Sequence, residues 1–193
     1  MKIKPSELSA TLRGRRSVFP PTYIDRPIDQ DIIEEILENA NWAPTHKRTE
    51  PWRFHVLRGK ALKRTGQFLA DWYRDHTPAE SFSDKKYEKN LRKPQRSACV
   101  IAICMQRDPG ERVPEWEEIA STACAVQNMW LTCHAYGIGA YWSSPGAIAD
   151  AGDLLDLQEG ERCLGFFFMG YHELPDLPGT RSPIADKVTW IDQ

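Results

Sequence analysis

The chain has 193 residues, with 25 Lys and Arg against 27 Asp and Glu for a net charge of -2, and 41% of its residues are apolar. That balance excludes a disordered chain and a dedicated nucleic-acid binder, and the length is enough to bury a core without disulfides or metals. The expected organisation is one domain over residues 1–193 with a small-molecule partner.

The cysteines, Cys99, Cys104, Cys124, Cys133 and Cys163, are odd in number, form no CxxC pair and sit mostly in apolar runs, which predicts reduced, buried thiols. MKIKPSELSA lacks the apolar core of a secretory signal, and no apolar run approaches the ~20 residues that span a bilayer. A cytoplasmic setting with no membrane partner is expected.

In chain order, TLRGRRSVFPPTY (residues 11–23) crowds Arg13, Arg15 and Arg16 around a glycine and a serine, ahead of a proline-rich extended stretch. The first expected helix lies in DRPIDQDIIEEILENANWAP. Ile32, Ile33, Ile36, Leu37 and Ala40 recur at helical spacing behind an Asp29 cap, and Pro44 stops it. PWRFHVL predicts a strand over Trp52–Leu57 with Trp52 in the core. KALKRTGQFLADWYRDH predicts a helix carrying Leu62, Phe68, Leu69 and Trp72 near one face. Residues 77–97 lose the apolar rhythm; lysines alternating with Asp84 and Glu88 favour a solvated helix face over a mobile lid.

SACVIAICMQ reads as a strand buried on both faces. From Glu115 to about Tyr136 runs the longest helical signal, through Ile119, Ala123, Val126, Met129, Trp130 and Cys133. GIGAYWSSPGA predicts a short strand entering a Gly/Ser turn, IADAGDLLDL a brief helix, CLGFFFMGYH a last strand, and the remaining tail an extended segment. Helices interspersed with short strands predict a layered sheet with helices on both sides.

Three stretches carry candidate chemistry. On its own, Arg-Arg-Ser reads first as solvated surface, but two guanidinium groups and the Ser17 hydroxyl also make a phosphate clamp. NWAPTHKRTEPWRF (residues 41–54) fixes a loop between two prolines, from which His46 can reach a cleft. GIGAYWSSPGA (residues 137–147) is not a dinucleotide fingerprint, because Trp142 stands where a third glycine is due; its small-residue turn can instead present backbone NH groups to a ligand. The five histidines show no metal-ligand spacing, and Cys133 and His134 point about 100° apart as helix neighbours. No metal site and no protein nucleophile is expected.

Together these stretches resemble the nitroreductase superfamily of FMN-dependent oxidoreductases. RRS, WAPTHKRTEPWRF, VPEWEEIASTACAVQNM, YWSSPG and GFFFMGYHELPDLPGTR follow the family's order and spacing over nearly the whole chain, closest to its small single-domain subgroup. The resemblance implies an α+β fold of three α/β/α layers, with a central, mostly antiparallel sheet flanked by helices, in an intertwined homodimer. It implies that Arg15, Arg16, Ser17 and Arg181 hold the FMN phosphate and ribityl chain, that Trp42 and His46 contact the flavin, and that Trp142, Ser143 and Ser144 lie against its ring. Both chains of the dimer would hold each flavin. Two departures stand out: Val18 and Phe19 supply no cation where the family's next basic residue is due, and Arg48 and Glu50 stand where many members have Asn and Gln.

The implied activity is hydride uptake from NADH or NADPH and ping-pong reduction of an electron-poor acceptor, nitroaromatic or quinone, with flavin N5 carrying the chemistry. Reduction or dehalogenation of a specific metabolite, and flavin binding without turnover, are the alternatives. A nucleic-acid module over residues 85–96 is disfavoured by its interspersed acids.

Overall fold

The computed structural model describes residues 3–175 and 178–192. Four strands, β1 (Trp52–Leu57), β2 (Cys99–Gln106), β3 (Ile138–Ser143) and β4 (Glu161–Tyr171), form one sheet in the order β1-β2-β4-β3, with every pair antiparallel. Helices α2 (Gln30–Asn41) and α5 (Glu115–Ala135) cover one face; α3 (Lys60–Asp75), α4 (Asp84–Gln95) and a 3-10 segment, Gly146–Asp153, lie on the other. This is the three-layer α+β arrangement expected of the sequence.

Strand alternation divides the core. Cys99, Ile101 and Ile103 of β2 face α2 and α5, packing on Ile33, Ile36, Val126 and Met129, while Val100, Ala102 and Cys104 face Leu62 and Leu69 of α3. Both central strands are apolar on both faces because both faces are covered. β4 breaks its alternation once. The register runs Ile103↔Gly165 and then Cys104↔Cys163, which leaves Leu164 unpaired against β2 and flips the strand's parity there. Gly165 has φ 150°, and a Cβ on it would meet the Trp142 indole nitrogen at 2.2 Å.

α3 and α4 approach closely because Gly66 has no side chain; a Cβ there would stand 2.2 Å from the Leu91 carbonyl oxygen. The expected helices, strands and the burial of Trp52 are observed within a few residues of their predicted bounds. Four local expectations change, the first at Cys124, which is exposed on α5 while the other four cysteines are buried. Helix α1 (Pro5–Gly14) was not expected: it buries no residue, so it leaves no apolar periodicity to read. Asp29 occupies the N-cap position of α2 without a side-chain capping bond. The brief helix expected in IADAGDLLDL is the 3-10 segment, which begins two residues earlier. The tail is mainly extended, with a 3-10 turn at Ile184–Lys187; residues 176, 177 and 193 of that expectation lie outside the described residues. Among the described residues no helix is long and apolar enough to cross a membrane.

Candidate functional site

The end of α1 delivers Arg15 to α5. Its guanidinium carbon lies 4.3 Å from the Trp130 ring centroid. Burial first, then the charges of Arg181 and Arg16, lower its pKa, and Nη1 is buried with no hydrogen-bond partner among the described residues. Arg16 Nη1 donates to the carbonyls of Arg13 at 2.6 Å and Arg15 at 2.8 Å. Gly179 lies against this guanidinium, since a Cβ there would be 2.4 Å from Nη2. Arg181 Nη1 donates to the Thr180 carbonyl at 2.7 Å, and Arg13, Arg16, Gly179 and Arg181 border an open cavity of about 440 Å³. Ser17 is exposed and forms a lone parallel bridge with Ala140 of β3. The first helix and the tail thus bring Arg15, Arg16 and Arg181 to one corner. A buried cationic N–H without an acceptor is the chemical complement of an anion.

From that corner the chain runs into a groove of about 870 Å³, walled by Phe19, Pro20, Pro21, Tyr141, Ser143 and Pro145 on one side and by α4 on the other. Phe19 tilts against Tyr141 with ring centroids 4.8 Å apart, and Tyr141 stacks on Phe168 at 5.2 Å. Lys93 enters from α4. Its Nζ donates to Ser143 Oγ at 3.0 Å and stands 4.3 Å and 5.0 Å from the Phe168 and Tyr141 rings. Burial, then repulsion from Lys89, pushes its pKa down to about 8. Lys93 answers the question raised by Val18 and Phe19: a cation does reach the wall beside Phe19, but from α4. Sequence reasoning passed over it because only the long-range meeting of α4 with β3 makes it distinctive.

The other expected residues divide between faces. Ser143 faces the groove and Ser144 is exposed at the turn beyond it. Trp142 alternates to the α5 face, where its indole N–H donates to the Leu164 carbonyl at 3.2 Å. The bulge at Leu164 supplies that acceptor and Gly165 makes room for the ring. Only the backbone of Trp142 remains available to the strand end.

Trp42 and His46 lie apart from the arginines. Trp42 is 78% exposed, its indole N–H bonded to Glu38 at 2.9 Å. His46 Nδ1 is 2.6 Å from Glu117 Oε2 in the first turn of α5. Glu117 and Trp130 stand 13 positions apart on that helix, about 20 Å of rise. The His46 loop carries strain: Lys47, Arg48 and Glu50 have φ of 53°, 53° and 42°.

The fold also gathers His55, Cys104 and Glu161, whose ligand atoms lie within 4.8 Å of one another. Glu161 already accepts from His55 at 2.8 Å and from the Gln158 backbone at 3.0 Å. A hydrogen bond with Cys163, then burial, raises the Cys104 pKa. With its carboxylate engaged and its thiol held protonated, the cluster is a hydrogen-bonded part of the core.

Comparison with known proteins gives this geometry a lineage. The model of the nitroreductase family matches residues 12–171. The Bacillus subtilis protein named "Putative NAD(P)H nitroreductase YfhC" is 28% identical over 188 residues, covering 95% of this chain and 94% of its own. A nitroreductase-like family protein from Bacillus cereus superposes with a TM-score of 0.78 at 25% identity over 100% of both chains. A Desulfovibrio desulfuricans structure described as a "putative nitroreductase in complex with fmn" superposes with a TM-score of 0.72 at 25% identity, over 100% of this chain and 99% of that one. The family model spans most of the chain and these relatives cover nearly all of it: this chain belongs to the nitroreductase family.

Proposed function

We propose that this chain is an FMN-dependent oxidoreductase, with residues 1–193 as one flavin-binding unit working as a homodimer in the cytoplasm. The chemistry FMN supplies when bound is hydride uptake from NADH or NADPH and delivery to an electron-poor acceptor of the nitroaromatic or quinone class. The observation that carries the reading is the Nη1 of Arg15, buried and without a hydrogen-bond partner among the described residues, beside Arg16 and Arg181. A phosphate monoester, carrying close to two negative charges, satisfies that donor and relieves the repulsion among the three arginines.

The remaining residues fit the rest of the cofactor. Ser17 pairs with Ala140, and Ser143 ends the same strand three residues on, about 10 Å away. That span suits a phosphate at the arginines and a ring by the groove at Ser143. Lys93 puts a positive charge on the groove wall, where it favours added electron density on a bound ring. The turn at Ser144 offers backbone NH groups to the ring edge. The D. desulfuricans relative, described as an FMN complex, and YfhC, named for NAD(P)H, support both cofactors.

Trp42 and His46 enter this reading only from a second copy, because their own loop is anchored about 20 Å along α5 from Arg15. No side chain acts as nucleophile: the protein binds, orients and screens. Donor and acceptor then take turns at one site, which gives ping-pong kinetics.

The deciding experiment is the visible spectrum of the purified protein. Flavin bands, released into solution on denaturation and bleached by anaerobic NAD(P)H, are expected. A colourless protein that takes up no added FMN refutes the reading.

A further inference from the structure

One wall of the groove is more cationic than flavin binding requires. α4 lines it with Lys85, Lys89, Arg92 and Lys93 around Glu88, and its C-cap residue Arg96 continues the wall. Positions 85, 89, 92 and 96 follow spacings of four, three and four residues, so these side chains share one stripe about 16 Å long. Arg92 is held by Glu88 at 3.0 Å and Lys93 by Ser143. Among the described residues, the side chains of Lys85, Lys89 and Arg96 have no hydrogen-bond or ion-pair partner. Lys89 stands close enough to repel Lys93, so the stripe gathers like charges that a bound anion would stabilise.

The opposite wall is different in kind: Phe19, Pro20, Pro21, Tyr141 and Pro145 offer flat, largely apolar contacts. A ligand complementary to both walls has planar rings joined by several phosphates. Lys93 touches Ser143 at the strand end, and Lys85 lies eight residues away, about 12 Å further along the helix. A dinucleotide with its nicotinamide near Ser143 would lay its pyrophosphate and any outer phosphate along this stripe.

We propose that the α4 stripe, with Lys85 and Lys89 as its outer members, is a phosphate-recognition site that selects the nicotinamide dinucleotide bearing a 2′-phosphate, so that NADPH is preferred over NADH. The inference rests on the flavin reading above, since it assumes that the nicotinamide docks beside a ring at Ser143. The preference comes from charge-assisted hydrogen bonds to the extra phosphate, and it weakens as salt screens them.

The test compares kcat/KM for NADPH and NADH in the flavin-loaded protein, then in Lys85→Glu/Lys89→Glu, with Lys63→Glu on the exposed face of α3 as the control charge reversal. The wild-type protein should favour NADPH by roughly tenfold or more, and the double variant should lose most of that ratio by raising KM for NADPH. NADH turnover should fall far less, flavin content should hold, and the control should keep the wild-type ratio. A yellow wild-type protein that uses both donors equally, or a preference that survives the double reversal, overturns the proposal and leaves the flavin reading standing. A colourless protein that refuses FMN overturns both.

Discussion

Arg15 lies over the indole of Trp130 at 4.3 Å with Nη1 buried and without a hydrogen-bond partner among the described residues, so the side chain that should grip the cofactor carries a burial cost of its own. The ring holds the guanidinium by its face, leaving a hydrogen-bonding edge unanswered. Binding and folding therefore make opposite demands on one residue. Arg15→Met should leave the stability of the flavin-free protein unchanged or higher by up to about 1 kcal/mol, since the lost cation–π contact offsets the relieved burial. The same change should weaken FMN binding roughly tenfold to a hundredfold. Thermal melts of the stripped protein and fluorescence titration with FMN check the two halves. A large loss of stability without a loss of affinity would make Arg15 a structural residue only.

Lys93 gives a pH signature with a defined sign. Its pKa in the folded protein falls to about 8 from the ordinary 10.5, because burial disfavours the ammonium. Below pH 8 both the folded and unfolded chains carry the charge, and the folded chain bears the full penalty. Between pH 8 and 10.5 the unfolded chain holds more protons, so this residue's contribution to stability rises with pH. Lys93→Met should thus be more stable than wild type at pH 7, with the gap closing as pH climbs through that window. Urea titrations of the flavin-free pair at pH 7 and pH 9.5 read the difference. A gap that widened with pH would reverse the assigned direction.

The sequence made the central layers legible because β2 and β4 are apolar on both faces and α5 keeps its spacing for 21 residues. It made the arginine corner legible as a charge anomaly. It could not reveal that Leu164 steps out of register and turns its carbonyl to the Trp142 indole, because a bulge depends on the partner strand. It could not single out Lys93 among the cations of α4, and it could not show that Arg15 meets Trp130 while His46 is anchored to Glu117, about 20 Å along α5 from that pair. Each omission is a long-range relationship with no local pattern.

Arg48 explains one of the two departures in physical terms. Its φ of 53° lies in the left-handed region, which asparagine, the residue the resemblance leads one to expect here, tolerates better than arginine. Arg48→Asn should therefore raise stability by about 0.5–1 kcal/mol without moving the loop. The His46–Glu117 pair at 2.6 Å and the Lys47 bond to the Arg112 carbonyl at 2.8 Å anchor the loop independently of that side chain. A lower melting temperature in the variant would mean that the guanidinium makes an essential contact, as it would at an interface between copies.

The outward face of α5 supplies the last prediction. Trp116 is 67% exposed, and Ala120, Cys124 and Gln127 continue its stripe at spacings of four, four and three residues. A large aromatic followed by the small Ala120 and Cys124 lets another helix approach closely. A second copy packed on this face would cover that apolar surface and bring its own Trp42 and His46 toward the first copy's groove. Sedimentation should therefore report a dimer. The double variant Trp116→Glu/Cys124→Glu should be monomeric and should lose FMN although Arg15, Arg16 and Arg181 are untouched, because half of each site has left with the partner. A folded monomeric variant that retains FMN at full affinity would show that one chain completes the site, and Trp42 and His46 would then have no part in holding the flavin.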